Sequence, residues 1–219
     1  MCGRFTLTID LLTFIELFQI EIPGLNLTPR YNIAPSQPVL TILKQGGQRT
    51  ARQMLWGLIP SWAKEPSIGH KMINARAETL EEKPSFRNSF RHRRCLIPAD
   101  GFYEWRKEGK QKQPYRFTLA DQKAFAFAGI WDRWISPDGS EIISCSIITT
   151  EANDTVKPLH HRMPVILAEH QLQQMWLDFD NPGELKGLLK PYAGRMAAYP
   201  VSPAVNSPKV DEPGLILPV

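Results

Sequence analysis

AFAFAGIWDRWISPDGSEIISCSIITT, residues 124–150, decides the fold. Two runs rich in aromatic and β-branched residues flank Pro137, Asp138 and Gly139, a triplet suited to a turn. The pattern predicts an antiparallel hairpin. Two more are read upstream: PVLTILK and RTARQMLWG meet around Gly46 and Gly47, and GFYEWRKE and KQPYRFTLA are joined through Gly109. Helical signals are fewer. Leu11, Phe14, Ile15 and Phe18 in TIDLLTFIELF recur at helical spacing, and AEHQLQQMWL near position 170 reads as a second helix. The proline-rich tail from Tyr199 to Val219 is expected to be extended and packed on the body. With no composition shift, low-complexity linker or repeat, the reading is one α+β domain over residues 1–219. It is β-rich, with a mostly antiparallel barrel-like sheet and a few short peripheral helices.

The chain has 219 residues and 42% hydrophobic content, enough for a real core. Its 26 Lys+Arg against 22 Asp+Glu give a net charge of +4, compatible with a nucleic-acid partner but not diagnostic of one. Cys2, Cys95 and Cys145 are odd in number and lack CxxC spacing, so neither a disulfide framework nor a zinc site is indicated. Cys95 and Cys145 read as small buried hydrophobes. No metal or other cofactor is expected. The start lacks a basic leader and the apolar stretches are short, which points to a cytoplasmic, intracellular protein with no membrane partner. Basic residues concentrate in two places. FRNSFRHRR spaces Arg87, Arg91 and Arg94 at i, i+4, i+7 beside Phe86 and Phe90, a helix that could meet phosphates on one face and pack on the other. RKEGKQK, at the tip of the second hairpin, reads as a solvated turn.

The start of the chain, MCGRF, raises a chemical question. Methionine aminopeptidase removes Met1 when the second residue is small, so Cys2 is expected to become the terminus. An α-amine titrates near ~7.7–8.0, so a useful fraction is an uncharged nucleophile at neutral pH, beside a thiol. Four other stretches carry reactive side chains. INARAE puts Asn74 and Arg76 at the period-two spacing of one strand face. PADGFYEW sets Glu104 in an aromatic strand, where a carboxylate is costly unless paired or functional. LHHRMPVIL offers His160, His161 and Arg162, and WGLIPSWAK offers Trp56 and Trp62.

Together, CGRF, RYNIAP (30–35), WGLIPSW (56–62), INARAET (73–79), RRCLIPADGFYEW (93–105) and HHRMPVIL (160–167) resemble the SOS response-associated peptidase family, also called abasic-site-processing proteins. The similarity runs from Cys2 to the tail in six ordered motifs. It implies a monomer that binds single-stranded DNA and uses Cys2, after Met1 removal, to capture the ring-opened aldehyde of an abasic site as a covalent crosslink. It also implies that Asn74, Glu104 and His160 surround the sugar, that Arg4, Arg76 and Arg162 hold phosphates, and that Trp62 lies near the DNA path. The HxRMP register selects His160 over His161.

The chemistry of these residues agrees with that implication. Amine and aldehyde give an imine, and the thiol two atoms away closes on it to a five-membered thiazolidine. His160 and Glu104 are the types that move protons during sugar ring opening, and Asn74 can orient the amine or a hydroxyl without charge. An imine also acidifies the C2′ proton, so lyase activity by β-elimination is available. A rival reading starts from the same residue. In a hydrolase with an amino-terminal nucleophile the α-amine is the base for its own thiol, and the family's name records a peptidase. A passive DNA-binding module would explain the arginines but leave CGRF, Asn74 and Glu104 without a role.

Overall fold

Glycine, proline and polar turns cut the chain into many short strands. A computed structural model describes residues 2–20, 26–109 and 111–219. In chain order the elements are β1 (Phe5–Leu7), α1 (Leu11–Phe18), β2 (Arg30–Ile33), β3 (Pro38–Gln45), β4 (Gln48–Trp56), β5 (Asn74–Arg76), α2 (Pro84–His92), β6 (Arg94–Ala99), β7 (Gly101–Glu108) and β8 (Gln111–Leu119). They continue as β9 (Phe125–Ile135), β10 (Glu141–Glu151), β11 (Arg162–Pro164), β12 (Ile166–Leu167), α3 (His170–Asp178), α4 (Pro182–Leu188) and β13 (Met196–Pro200).

The three expected hairpins are β3–β4, β7–β8 and β9–β10. Gly46 and Gly47 both take positive φ, at 59° and 82°, the geometry a tight hairpin turn demands. One sheet runs β13–β8–β7–β1–β2, and the other runs β11–β10–β4–β3–β6–β9–β12. Pairing of β9 with β10 closes β10–β4–β3–β6–β9 into a five-strand barrel, sealed by the parallel β4–β10 pair. The expected β-rich, mostly antiparallel barrel is the observed architecture.

Alternation along the barrel strands sorts two apolar layers. Phe125 and Phe127, Cys95 and Ile97, and Cys145 and Ile147 cluster with Phe5, Phe102 and Phe117 of the other sheet. Their neighbours Ala126, Ala128, Leu96 and Ile148 cluster instead with Phe14, Phe18, Phe86, Phe90 and Trp176 from the helices. Both faces of β9 are therefore covered, and that is why its sequence is apolar at consecutive positions. Phe5 joins the sheets edge-on, its ring 5.2 Å from Trp56 and 5.6 Å from Phe127. Burying such a ring contributes about 1.5–3 kcal/mol and pins the chain three residues after Cys2.

Two expectations need correction. The tail is not simply extended: it forms β13 and then two 3₁₀ turns, Pro203–Asn206 and Pro213–Ile216, because its prolines start turns and cannot donate to a ladder. Arg94 does not share the exposed face of α2 with Arg87 and Arg91. The helix ends at His92, and Arg94 opens β6 as a buried residue donating to the carbonyls of Phe90, Arg91, Trp176 and Phe179. An Arg94→Leu chain, leaving those acceptors unpaired, is expected to lose about 3 kcal/mol or more of stability with unchanged affinity for DNA. Urea midpoints and binding isotherms on one preparation measure both; weaker binding at an unaltered midpoint would return Arg94 to the phosphates.

Candidate active site

The first strand carries Cys2 into the junction of the two sheets. β1 pairs with β7 through Phe5↔Phe102 and Thr6↔Gly101, and the Tyr103 amide donates to the Arg4 carbonyl at 3.0 Å. This register brings Glu104, one residue further along β7, alongside the start of the chain. Cys2 is fully buried. On its other side β5 runs parallel to β10, and the Asn74 amide nitrogen donates to the Cys2 carbonyl at 2.9 Å. The Asn74 Oδ1 is buried and has no hydrogen-bond partner among the described residues.

The electrostatics are unusual. Burial, and then the nearby Glu104 carboxylate, push the Cys2 thiol well up, so it stays S–H at neutral pH. Burial likewise raises Glu104 to about 7, against the opposing positive charge of the amino terminus. Partial burial, and then that same charge, lower His160, leaving a neutral ring. His160 Nδ1 meets the Arg162 backbone twice, accepting from its amide at 2.9 Å and lying 3.2 Å from its carbonyl oxygen. His161 is exposed and stacks on His160 with centroids 4.5 Å apart. Glu104 and His160 line one open cleft of about 780 Å³, shared with Trp105, Arg106, Lys107, Lys112 and Asn206.

The arginines divide. Arg76 is exposed, two residues beyond Asn74 on β5. Arg162 is buried and makes a bidentate pair with Glu78, at 2.6 and 2.9 Å, while also donating to the Thr149 carbonyl. Arg4 donates to Asn32 Oδ1 at 2.7 Å and to the carbonyls of Val205 and Asn206. Both of these guanidiniums already have protein partners, and both brace the site: Arg4 ties the tail beside Cys2, and Arg162 follows His160. Trp62 is 58% exposed and lines a separate cavity of about 530 Å³ with Lys64 and Lys71. Gly57, in the same WGLIPSW stretch, has φ 137° and lies so close to Gly69 that a Cβ would meet its carbonyl oxygen at 2.8 Å.

Sequence reasoning missed Glu78, Asn206 and the cleft-facing cations of the β7–β8 tip. Glu78 sits within INARAET, but a 3₁₀ turn at Ala77–Thr79 separates it from the strand periodicity. Nothing in RKEGKQK signals which way its charges face. No helix among the described residues is long and apolar enough to cross a membrane.

Comparison with known proteins places this geometry. Residues 1–208 match the family described as SOS response associated peptidase (SRAP). The chain is 49% identical over 222 residues to the abasic site processing protein YoqW of Bacillus subtilis (strain 168), covering 99% of each. It is 36% identical over 224 residues to the abasic site processing protein HMCES of Gallus gallus, covering 87% of this chain and 66% of that one. A crystal structure of a protein from Bacteroides thetaiotaomicron matches with a TM-score of 0.86 at 29% identity, covering all of both chains (100% each). A second, from Bordetella bronchiseptica, matches with a TM-score of 0.77 at 28% identity, covering 92% of this chain and 100% of that one. With the family's model matched over residues 1–208 and relatives up to 49% identical along nearly the whole chain, the chain belongs to the SRAP family.

Proposed function

We propose that this protein processes abasic sites in single-stranded DNA by covalent capture at Cys2 after Met1 is removed. The observation that carries the reading is Asn74, whose Nδ2 holds the Cys2 carbonyl while its buried Oδ1 lacks a partner. A buried amide oxygen without a donor costs about 1–3 kcal/mol, and a freed Cys2 amine is a donor suited to it. Relatives named for abasic-site processing support the substrate class.

The chemistry proceeds in balanced steps. An abasic sugar rests as a cyclic hemiacetal, so opening takes a proton from its hydroxyl and returns one to the ring oxygen. Glu104, near 7, exists in both forms at neutral pH and can do either, with the His160 imidazole lining the same cleft. The Cys2 amine adds to the aldehyde carbon, and loss of water leaves the imine. The thiol then adds across the C=N bond, sulfur to carbon and its proton to nitrogen, closing the thiazolidine. Proton loss from C2′ of the imine would break the 3′ phosphate ester by β-elimination, a lyase side reaction.

Arg76, exposed on the strand that carries Asn74, is assigned to a flanking phosphate, and exposed Trp62 to the path of the DNA. Arg4 and Arg162 reach phosphates only by sharing or exchanging their present partners. Intact mass tests the reading: the protein alone is expected to lack Met1, and after incubation with an abasic oligonucleotide to gain the strand's mass less one water. Undamaged DNA should add nothing. A Met1-free protein that gains no mass overturns the proposal.

A further inference from the structure

The β7–β8 hairpin presents an electrostatic oddity. Its register sets Lys107 directly opposite Lys112, and both line the cleft that holds Glu104 and His160. Directly opposed residues in an antiparallel pair have Cβ atoms about 4.5–5.5 Å apart, and like charges there destabilise the ladder. Among the described residues neither lysine has an acidic ion-pair partner. Arg106 also lines the cleft, from the ladder face it shares with Glu104, its guanidinium 4.9 Å over the Tyr115 ring. The cleft's one acidic lining residue among those described is Glu104, whose carboxyl burial raises toward neutrality. Lysines that only kept a hairpin soluble would gain nothing from being opposed or from facing a cleft.

We propose that Lys107 and Lys112 form a clamp for the sugar–phosphate backbone adjoining the captured sugar. The two ammonium groups bracket one backbone turn and neutralise about two phosphates, and the incoming anion relieves the repulsion between them. The clamp rests on the abasic-site reading for the identity of its ligand, a single DNA strand. Its contribution is independent of base identity, because phosphate contacts position a strand without reading it.

The test separates the clamp from the chemistry. A full-length Cys2→Ala chain binds reversibly, so its affinity for a fluorescent single strand bearing a tetrahydrofuran abasic analogue can be followed across salt concentrations. Lys107→Gln/Lys112→Gln in that background is expected to make the log–log slope shallower by about 1.4, since each phosphate neutralised on a single strand contributes about 0.7. A control pair of equal net charge, Lys44→Gln/Lys123→Gln, should leave the slope unchanged. In the Cys2 chain, the lysine pair should slow crosslinking at low DNA concentration but not reaction with a small soluble aldehyde. Equal slopes for the hairpin variant and its parent overturn the clamp, as does an equal change in the control. Failure of the Cys2 chain to crosslink at all strikes the abasic-site reading instead, because the salt slope is measured without that step.

Discussion

A Cys2→Ser chain, freed of Met1, is expected to lose the durable adduct with abasic DNA while keeping an imine that borohydride can trap. Serine retains the amine, so attack on the aldehyde survives. What it loses is the sulfur that closes the ring. Intramolecular closure has effective molarities on the order of 10⁵ M or more, so without it water returns the imine to aldehyde and the adduct surviving denaturing electrophoresis falls by about 10²-fold or more. The shifted band, compared with and without borohydride, reads both steps. A serine chain whose band persists without reductant removes the thiazolidine from the account, and robust peptide cleavage with no DNA reaction favours the hydrolase.

The second large effect belongs to Glu104→Gln. Glutamine keeps the shape and cannot exchange protons, so crosslinking is expected to slow by about 10²–10³-fold, the usual range for a lost general acid–base group. The wild-type rate should rise with pH as the amine deprotonates and fall as Glu104 ionises through about 7, and the variant should lose the falling limb. Stability moves the other way. Because burial raises the folded carboxyl from 4.5 to about 7, its contribution is fully present below about 4.5 and lost as pH rises through 7. By pH 8 the cost of ionising it approaches about 3 kcal/mol, at 1.36 kcal/mol per unit. Glu104→Gln should therefore match wild type in urea at pH 4.5 and exceed it at pH 8. Parallel stability curves would mean that Glu104 is solvated in the folded protein, and an unchanged rate would take it out of proton transfer.

Legibility in the sequence followed the range of the forces involved. The hairpins were readable because their turns are local: Gly46, Gly47, Gly109 and Gly139 all adopt positive φ, which glycine permits at no steric cost. Helix α1 was readable from Phe14 and Phe18, both buried, and from Asp10, whose side chain caps it. Arg94 was misread because helical spacing continues on paper past His92, where the chain turns into β6. The short strands β1, β5, β11 and β12 have two or three residues each, too few for any periodicity to register.

The site divides along the same line. The residues proposed to carry chemistry were singled out by residue type and by the family resemblance: an amine beside a thiol at Cys2, a carboxylate in an aromatic strand at Glu104, a histidine before a buried strand at His160. Their protonation and mutual placement were decided only by the tertiary structure. Burial raises Glu104 to about 7 because the first half of β7 is enclosed, and Asn74 meets Cys2 because β5 lies parallel to β10, 72 residues along the chain. The direction of the RKEGKQK charges, and the partners that occupy Arg4 and Arg162, also depend on long-range register. Desolvation and strand pairing act between residues far apart in sequence, so no local pattern encodes them.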